Sequence, residues 1–494
     1  MKVLSKTYEN YINGKWKAPQ SGGYKESISP SDKRDIVGYV PVSTIVDVDE
    51  AVRAGKQAQI AWRKLSGAAR GEYLRKTADI LEQRSDEIAE TLTREMGKTL
   101  VEAKGETLRG VDILRYYANE GMRSIGEVIP STDQDTLLFT TRAPLGVIGL
   151  ITPWNFPVAI PVHKMAPALV YGNTIVIKSA FETTVTAIKL LECFIDAGFP
   201  PGVVNLVSGR GSTIGNALCE HPDIKAISFT GSNDVGQIIA AKAVKRGVKF
   251  QLEMGGKNPV IVTKHADLDL AADLTVSGSM KSAGQKCTAT SRAIVVEEVY
   301  EAFRDKVLQR IQNIQVGNGL HADSYMGPVS SENQYCTVLE AIKKGIEEGA
   351  RLIAGGKPES TGDLEHGYYI EPTVFDEVKP DMFIAQEEIF GPVLALIKVE
   401  SLDQALRVAN DVKYGLSASI FTAHLDEVFQ YLAEMEAGMI RINGETTGLE
   451  YQAPFGGLKA SSTQARELGR AAIDFFTSIK TITIKPSSVP VGDK

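Results

Sequence analysis

With 494 residues, 43% hydrophobic and 23% charged, the chain is long enough for two or three packed domains and has a globular composition. A net charge of -7 argues against a general nucleic-acid or anionic-membrane surface, and no run of about eighteen apolar residues suggests a membrane span. Four scattered cysteines without a CxxC pair, and six histidines without ligand spacing, argue against a disulfide framework and a metal site.

Free thiols, and a start (Met1 to Lys6) without an apolar core of leader length, point to the cytoplasm. Residues 8–45 read as short strands and turns, with Tyr11-Ile12-Asn13-Gly14-Lys15-Trp16 as a hairpin. Residues 47–64 and 68–125 place apolar side chains at three- and four-residue steps, the period of helices. Residues 126–144, rich in Thr and Asp, read as an extended hairpin. From Gly146 the period changes. Apolar runs at 146–151, 174–178, 203–207 and 226–229 each precede a helical stretch, as in a parallel, doubly wound sheet. A second alternation starts at Pro259-Val260-Ile261-Val262 and continues past residue 430. The tail 477–486 alternates like an edge strand, and such an edge needs covering, which points to subunit pairing.

Chemistry concentrates in three segments. Gly284-Gln285-Lys286-Cys287-Thr288 sets one thiol among polar, glycine-flanked neighbours. A lone cysteine is ordinarily a small buried hydrophobe, the reading kept for Cys193, Cys219 and Cys336, but these neighbours are poor core material. Leu252-Glu253-Met254-Gly255-Gly256-Lys257 sets a carboxylate in a turn whose paired glycines permit close backbone approach. Pro153-Trp154-Asn155-Phe156-Pro157 supplies a side-chain amide able to donate to an oxyanion. A thiolate attacks carbonyls, and a carboxylate can activate the water that breaks the resulting thioester.

In this order, and over nearly the whole chain, the segments resemble those of aldehyde dehydrogenases. The resemblance implies an α/β fold: a Rossmann-like cofactor domain (1–125 and 145–255), an α/β catalytic domain (256–460), and a small β oligomerisation element with the tail (126–144 and 461–494). It implies Cys287 as nucleophile, Glu253 as general base and Asn155 as oxyanion donor with the Cys287 backbone N–H. Enzymes of the family that pass the acyl group to coenzyme A typically lack the acid, so Glu253 favours hydrolysis. For NAD or NADP it implies Gly211, Gly231, Ser232 and Gly236 around the pyrophosphate and Trp154 and Lys178 along the adenosine half. Glu388 and Phe390, within Glu387-Glu388-Ile389-Phe390-Gly391-Pro392, would lie at the nicotinamide ribose. No metal is implied; the partners are a small aldehyde and further copies of the chain, as a homodimer or homotetramer.

Two details bear on selectivity. Three positions after Lys178, where NAD-restricted members carry an acid against the ribose hydroxyls, stands Phe181, with Glu182 one residue late. This sets NADP slightly ahead of NAD, unless Glu182 swings in. The strings GQKCTATSR, PWNFPVAIP and LEMGGKNPVIV look most like bacterial 2,5-dioxovalerate (α-ketoglutarate semialdehyde) dehydrogenases, which implies a small anionic semialdehyde; a succinate or glutamate semialdehyde, or a broad range of aldehydes, is the alternative. His163, Lys286 and Phe455 are the candidate substrate contacts, Lys286 being either a charge for a carboxylate or a solvated lysine.

Overall fold

The computed structural model describes residues 6–123, 125–463 and 465–486; residues 1–5 and 487–494, the outer ends of the expected first and last segments, lie outside the described residues. β1 (Asn10–Ile12) and β2 (Lys15–Lys17) form the expected hairpin, turning at Asn13-Gly14, both with positive φ. A second hairpin, β3 (Tyr24–Ile28) and β4 (Ile36–Pro41), leads into four helices: α1 (Ile45–Trp62), α2 (Gly67–Gln83), α3 (Ser85–Met96) and α4 (Leu100–Glu120). Capping boxes start α1 (Thr44 with Asp47) and α4 (Thr99 with Glu102). β5 (Val128–Ile129) and β6 (Leu137–Pro144) follow as a short antiparallel pair.

Five parallel strands then alternate with helices: β7 (Val147–Ile151), α5 (Ala159–Val170), β8 (Thr174–Lys178), α6 (Thr184–Asp196), β9 (Val204–Leu206), α7 (Asn216–Glu220), β10 (Ile224–Thr230), α8 (Asn233–Arg246) and β11 (Lys249–Glu253). Every residue of β7 and β8 is buried, so these strands read as unbroken apolar runs. The sheet order is β11-β10-β7-β8-β9, extended by antiparallel β1 and then β2. Because β8 and β10 lie on opposite sides of β7, the order reverses there and opens a crevice at the carboxyl ends of the strands.

β11 passes through Met254-Gly255-Gly256-Lys257 directly into β12 (Asn258–Val262) of a second sheet. Next come α9 (Leu268–Met280), β13 (Thr290–Val296), α10 (Tyr300–Gln312), α11 (Glu332–Glu347), β14 (Arg351–Ala354), β15 (Thr373–Asp376), α12 (Phe383–Gln386) and β16 (Val393–Val399). α13 (Leu402–Asn410), β17 (Tyr414–Gly415), β18 (Ser417–Phe421), α14 (Leu425–Glu434) and β19 (Met439–Ile442) complete the second alternation. Its order is β14-β15-β16-β13-β12-β18-β19, parallel except for β14. β20 (Leu458–Lys459) pairs with β17, and α15 (Ala472–Phe476) runs into β21 (Thr477–Ile484).

The tail forms the expected edge strand. β21 pairs on one side with β6 of its own chain, in register from Thr477 opposite Pro144 to Ile484 opposite Leu137, and as the outer strand of the β21-β6-β5 sheet it keeps its other edge open. The preceding residues Leu468, Phe475 and Phe476 pack into the core of the first sheet. Cys336 departs from the buried-hydrophobe reading, being exposed, whereas Cys193 and Cys219 are buried. Among the described residues, no helix is long and apolar enough to cross a membrane, and no cluster of His, Cys, Asp and Glu could hold a metal ion.

Candidate active site

The first sheet delivers its polar residues at strand ends. Past β7 come Trp154 and Asn155; β8 ends at Lys178; past β9 lies Gly211; past β10 come Gly231, Ser232 and Gly236; and β11 ends at Glu253. The second sheet answers with Cys287, between α9 and β13, and with Glu388 and Phe390, between α12 and β16. Cys287 lines two cavities at once. One, of about 300 Å³, also holds Glu253, His163, Lys286, Phe455 and Glu467. The other, of about 200 Å³, holds Trp154, Asn155, Gly231, Ser232, Glu388 and Phe390.

The backbone before Cys287 is forced into place. Ser282 and Ala283 both adopt left-handed conformations, φ 55° and 51°, a strain that surrounding contacts must hold. Gln285 fastens the turn: its Nε2 donates to the Ser282 carbonyl at 3.1 Å, and its Oε1 accepts the Ser330 N–H at 2.9 Å. Asn258 Nδ2 donates to the Cys287 carbonyl at 2.8 Å. Gly256 is required here, since a Cβ would stand 2.8 Å from that carbonyl oxygen. Burial, then the charges of Glu388 and Glu253, push the Cys287 thiol up to about 12, while the N–H groups of Thr288 and Cys287 act in the opposite direction. The resting thiol is therefore protonated at neutral pH, and attack requires a base.

Glu253 is 2% exposed, and its two oxygens differ. Oε2 accepts the Ser462 hydroxyl, whereas Oε1 has no partner. Burial, then the charge of Glu467, raises this carboxyl well above its ordinary range. Glu467 is held by Lys164, whose ammonium also donates to Ser228 Oγ at 2.9 Å, and both members of the pair are buried. The sequence reading missed this pair; a lone lysine within the apolar Ala159–Val170 run was the available clue to Lys164, and nothing local marked Glu467.

Asn155 is buried, its Nδ2 donating to the Gln285 carbonyl at 3.1 Å and its Oδ1 lacking a partner. Beneath it, Lys98 Nζ donates to the Asn155 carbonyl and to Glu106 Oε2, both at 2.7 Å, and lies 3.8 Å from the centre of the Phe156 ring. Glu106 Oε1 accepts the N–H groups of Val158 and Ala159 at the start of α5, at 2.8 and 3.1 Å. This buried ion pair locks the loop that carries Asn155, and it too escaped the sequence reading.

The second cavity leads to a row of free donors. Ser232 is the N-cap of α8 but its side chain makes no capping bond, so the helix start keeps unsatisfied N–H groups. A Cβ on Gly211 would meet open space. Lys178 is 8% exposed; among the described residues its ammonium makes no hydrogen bond or ion pair, and Ser179 Oγ is also buried without a partner. Burial lowers the Lys178 pKa, and the charge of Glu182 partly restores it, which places Glu182 near the ammonium. Phe181 packs with Val37, Val40 and Val185, under Lys25 Nζ at 5.1 Å from its ring. Trp154 and Phe390 meet edge to face, 5.4 Å between centroids. Unpaired donors at a helix start, a buried cation beside a hydroxyl and an aromatic wall fit a dinucleotide laid along the strand ends.

On the first cavity's far wall His163 Nδ1 lies 3.7 Å from Glu467 Oε2, its Nε2 has no partner, and its ring is 6.4 Å from that of Phe455. Lys286 is 9% exposed, which corrects the solvated-lysine alternative. Arg292, by contrast, spends its guanidinium on the carbonyls of Lys257, Val408 and Ala409, a structural role.

Residues 16–482 match the model of the aldehyde dehydrogenase family. Among characterised relatives, the α-ketoglutaric semialdehyde dehydrogenase of Bacillus subtilis is 59% identical over 97% of this chain and 98% of its own. The 2,5-dioxopentanoate dehydrogenase of Saccharolobus solfataricus is 42% identical over 97% of this chain and 99% of its own. Among solved structures, betaine aldehyde dehydrogenase from Staphylococcus aureus, in complex with NAD+, superposes with a TM-score of 0.95 at 32% identity, covering 99% of this chain and 98% of that one. A 3,6-anhydro-L-galactose dehydrogenase in complex with NAP gives 0.94 at 33% identity, covering 97% of this chain and 100% of that one.

Proposed function

The chain belongs to the aldehyde dehydrogenase family, and from that membership we propose that it oxidises a short anionic oxo acid, 2,5-dioxopentanoate first, to the carboxylate with NAD or NADP. The observation that carries the chemistry is the place of Cys287, on the wall shared by the cavity of Glu253 and the cleft of Trp154, Ser232 and Glu388.

Cys287 Sγ adds to the aldehyde carbon while its proton passes to Glu253 Oε1, directly or through a water. Charge developing on the carbonyl oxygen is met by the Cys287 N–H and by the Nδ2 hydrogen of Asn155 that the Gln285 carbonyl does not take. The nicotinamide, when bound, supplies the acceptor for the hydride that leaves the adduct carbon. Once Glu253 has given the thiol proton up to solvent, it takes a proton from the water that adds to the Cys287 thioester; the acid is released, the sulfur leaves as thiolate, and Glu253 returns that proton to it to restore the thiol. Trp154, Lys178, Gly211, Gly231, Ser232, Gly236, Glu388 and Phe390 hold the dinucleotide in this reading. His163 and Phe455 wall the aldehyde's approach. Phe181, three positions after Lys178, is turned onto the N-terminal strands, and Lys178, on which Glu182 acts by its charge without a hydrogen bond, can take a 2′-phosphate; in this reading NADP is accepted beside NAD. The protein is further read as cytoplasmic, from its free thiols, and as a homodimer or homotetramer, since the outer strand β21 exposes Ile479 and Ile484.

Initial rates test this across 2,5-dioxopentanoate, succinate semialdehyde, glutamate semialdehyde and pentanal, each with NAD and NADP. The dioxo acid is expected to give the highest kcat/KM; a preference for pentanal would overturn the substrate class. Cys287→Ala should abolish turnover with NAD(P)H binding retained, and Glu253→Gln should slow it severely; wild-type turnover in either removes the assigned role.

A further inference from the structure

Lys286 is a buried cation with nothing to pair with. It is 9% exposed, and among the described residues its ammonium has no hydrogen-bond or ion-pair partner. A buried charge of this kind is costly unless something answers it. The charges it feels are those of Glu102, Glu445, Lys281 and Lys98, and burial lowers its pKa to about 8. Lys286 lines the cavity that holds Glu253, together with Glu102, Glu445 and Lys281, and also borders a smaller pocket with Glu388 and Phe390; the acids that act on it most, Glu102 and Glu445, lie on the side of the first. The ammonium therefore faces the cavity into which an aldehyde must come.

The nearby acids are already engaged. Glu102 Oε1 accepts Ser282 Oγ at 2.9 Å, and Oε2 accepts the Thr99 N–H at 3.0 Å and its hydroxyl at 2.9 Å. Glu445 Oε2 accepts the Thr447 hydroxyl. Their charges keep Lys286 protonated, but its N–H groups are left for a ligand. Glu253 and Glu467 line the same cavity, as do the cations Arg109 and Lys281; of its cations, Lys286 is the one adjacent in sequence to the nucleophile.

We propose that Lys286 is the carboxylate receptor that gives this enzyme its preference for oxo acids, a reading that rests on the dehydrogenase function above. Adjacent Cα atoms are about 3.8 Å apart. Nucleophile and receptor are thus neighbours, projected into one cavity by the left-handed turn at Ser282 and Ala283. A substrate engaged by both carries its carboxylate a few carbons from the aldehyde, roughly four to six chain atoms in all. The class is short ω-oxo carboxylates; long aliphatic and aromatic aldehydes gain nothing from Lys286.

Two measurements test this. The first is the ratio of kcat/KM for 2,5-dioxopentanoate to that for pentanal, in wild type and Lys286→Met. Loss of a charge-assisted contact should lower the ratio about tenfold or more. An unchanged ratio, with both rates falling together, would make Lys286 a tuner of the thiol instead. The second needs no turnover: alkylation of Cys287, in wild type and Lys286→Met, by iodoacetate against iodoacetamide, read by peptide mass spectrometry with exposed Cys336 as internal reference. In wild type the anionic reagent should be favoured at Cys287 relative to Cys336; equal ratios at both thiols would overturn the proposal, as would a preference that survives in Lys286→Met. If no aldehyde is oxidised, the dehydrogenase reading fails, while the alkylation ratio, compared between wild type and Lys286→Met, still decides on Lys286.

Discussion

Glu388 stands over the turn beside Cys287: its Oε1 accepts the Gly256 N–H at 3.1 Å, and after burial its charge is the largest cause of the raised thiol pKa. A Cβ on Gly255 would lie 2.0 Å from the same carboxylate, so the glycine makes room for it. The residue assigned to the cofactor thus also holds the resting nucleophile quiet, in the manner of like charges sharing a site.

Glu388→Gln should therefore quicken alkylation of Cys287 by iodoacetamide in the cofactor-free enzyme. Removing a negative charge favours the thiolate, so the apparent thiol pKa falls and the rate at a fixed pH of about 8 rises several-fold. An unaltered rate would place Glu388 too far from the sulfur to matter.

The Lys164–Glu467 pair sets the pH range of the base. Glu467 raises the Glu253 pKa and Lys164 lowers it. Glu467→Gln removes the raising charge, so Glu253 ionises at lower pH and the acid limb of kcat against pH should move down. The same substitution leaves Lys164 buried and alone, at a cost of about 3–5 kcal/mol, which a lower Tm should register. A lower Tm without movement of the acid limb would make the pair structural only.

Asn155→Ala should lower kcat by about a hundred- to a thousandfold with little change in KM, because the amide complements charge that appears only after attack. A rise in KM alone would reassign Asn155 to substrate binding. Lys98→Met should mimic part of this loss, since Lys98 holds the Asn155 carbonyl at 2.7 Å.

For the cofactor, Phe181→Glu should shift the ratio of NADP to NAD binding toward NAD, measured by fluorescence titration. Lys178→Ala should weaken NADP more than NAD, as a phosphate contact is lost with any hydroxyl contact. Tight NAD binding and none of NADP in wild type would mean that Glu182, whose charge already reaches Lys178, fills the vacant role.

The two parallel sheets were legible in the sequence because strands buried on both faces, such as β7 and β8, must be written as continuous apolar runs. Cys287, Glu253 and Asn155 stood out because each lies in a short glycine- or proline-bounded segment, and local segments keep their meaning in one dimension. What the tertiary structure alone decided is which charges face one another. Lys164 and Glu467 are 303 positions apart, and Glu388 meets Gly256 across 132. Lys286 could be read as solvated or as a receptor until the fold buried it without a partner. The tail's alternation announced a strand, but only three-dimensional pairing showed that its partner is β6 of the same chain. Periodicity is set by a residue's own neighbours. Burial and Coulomb interaction depend on which distant segments meet, and no local pattern encodes that.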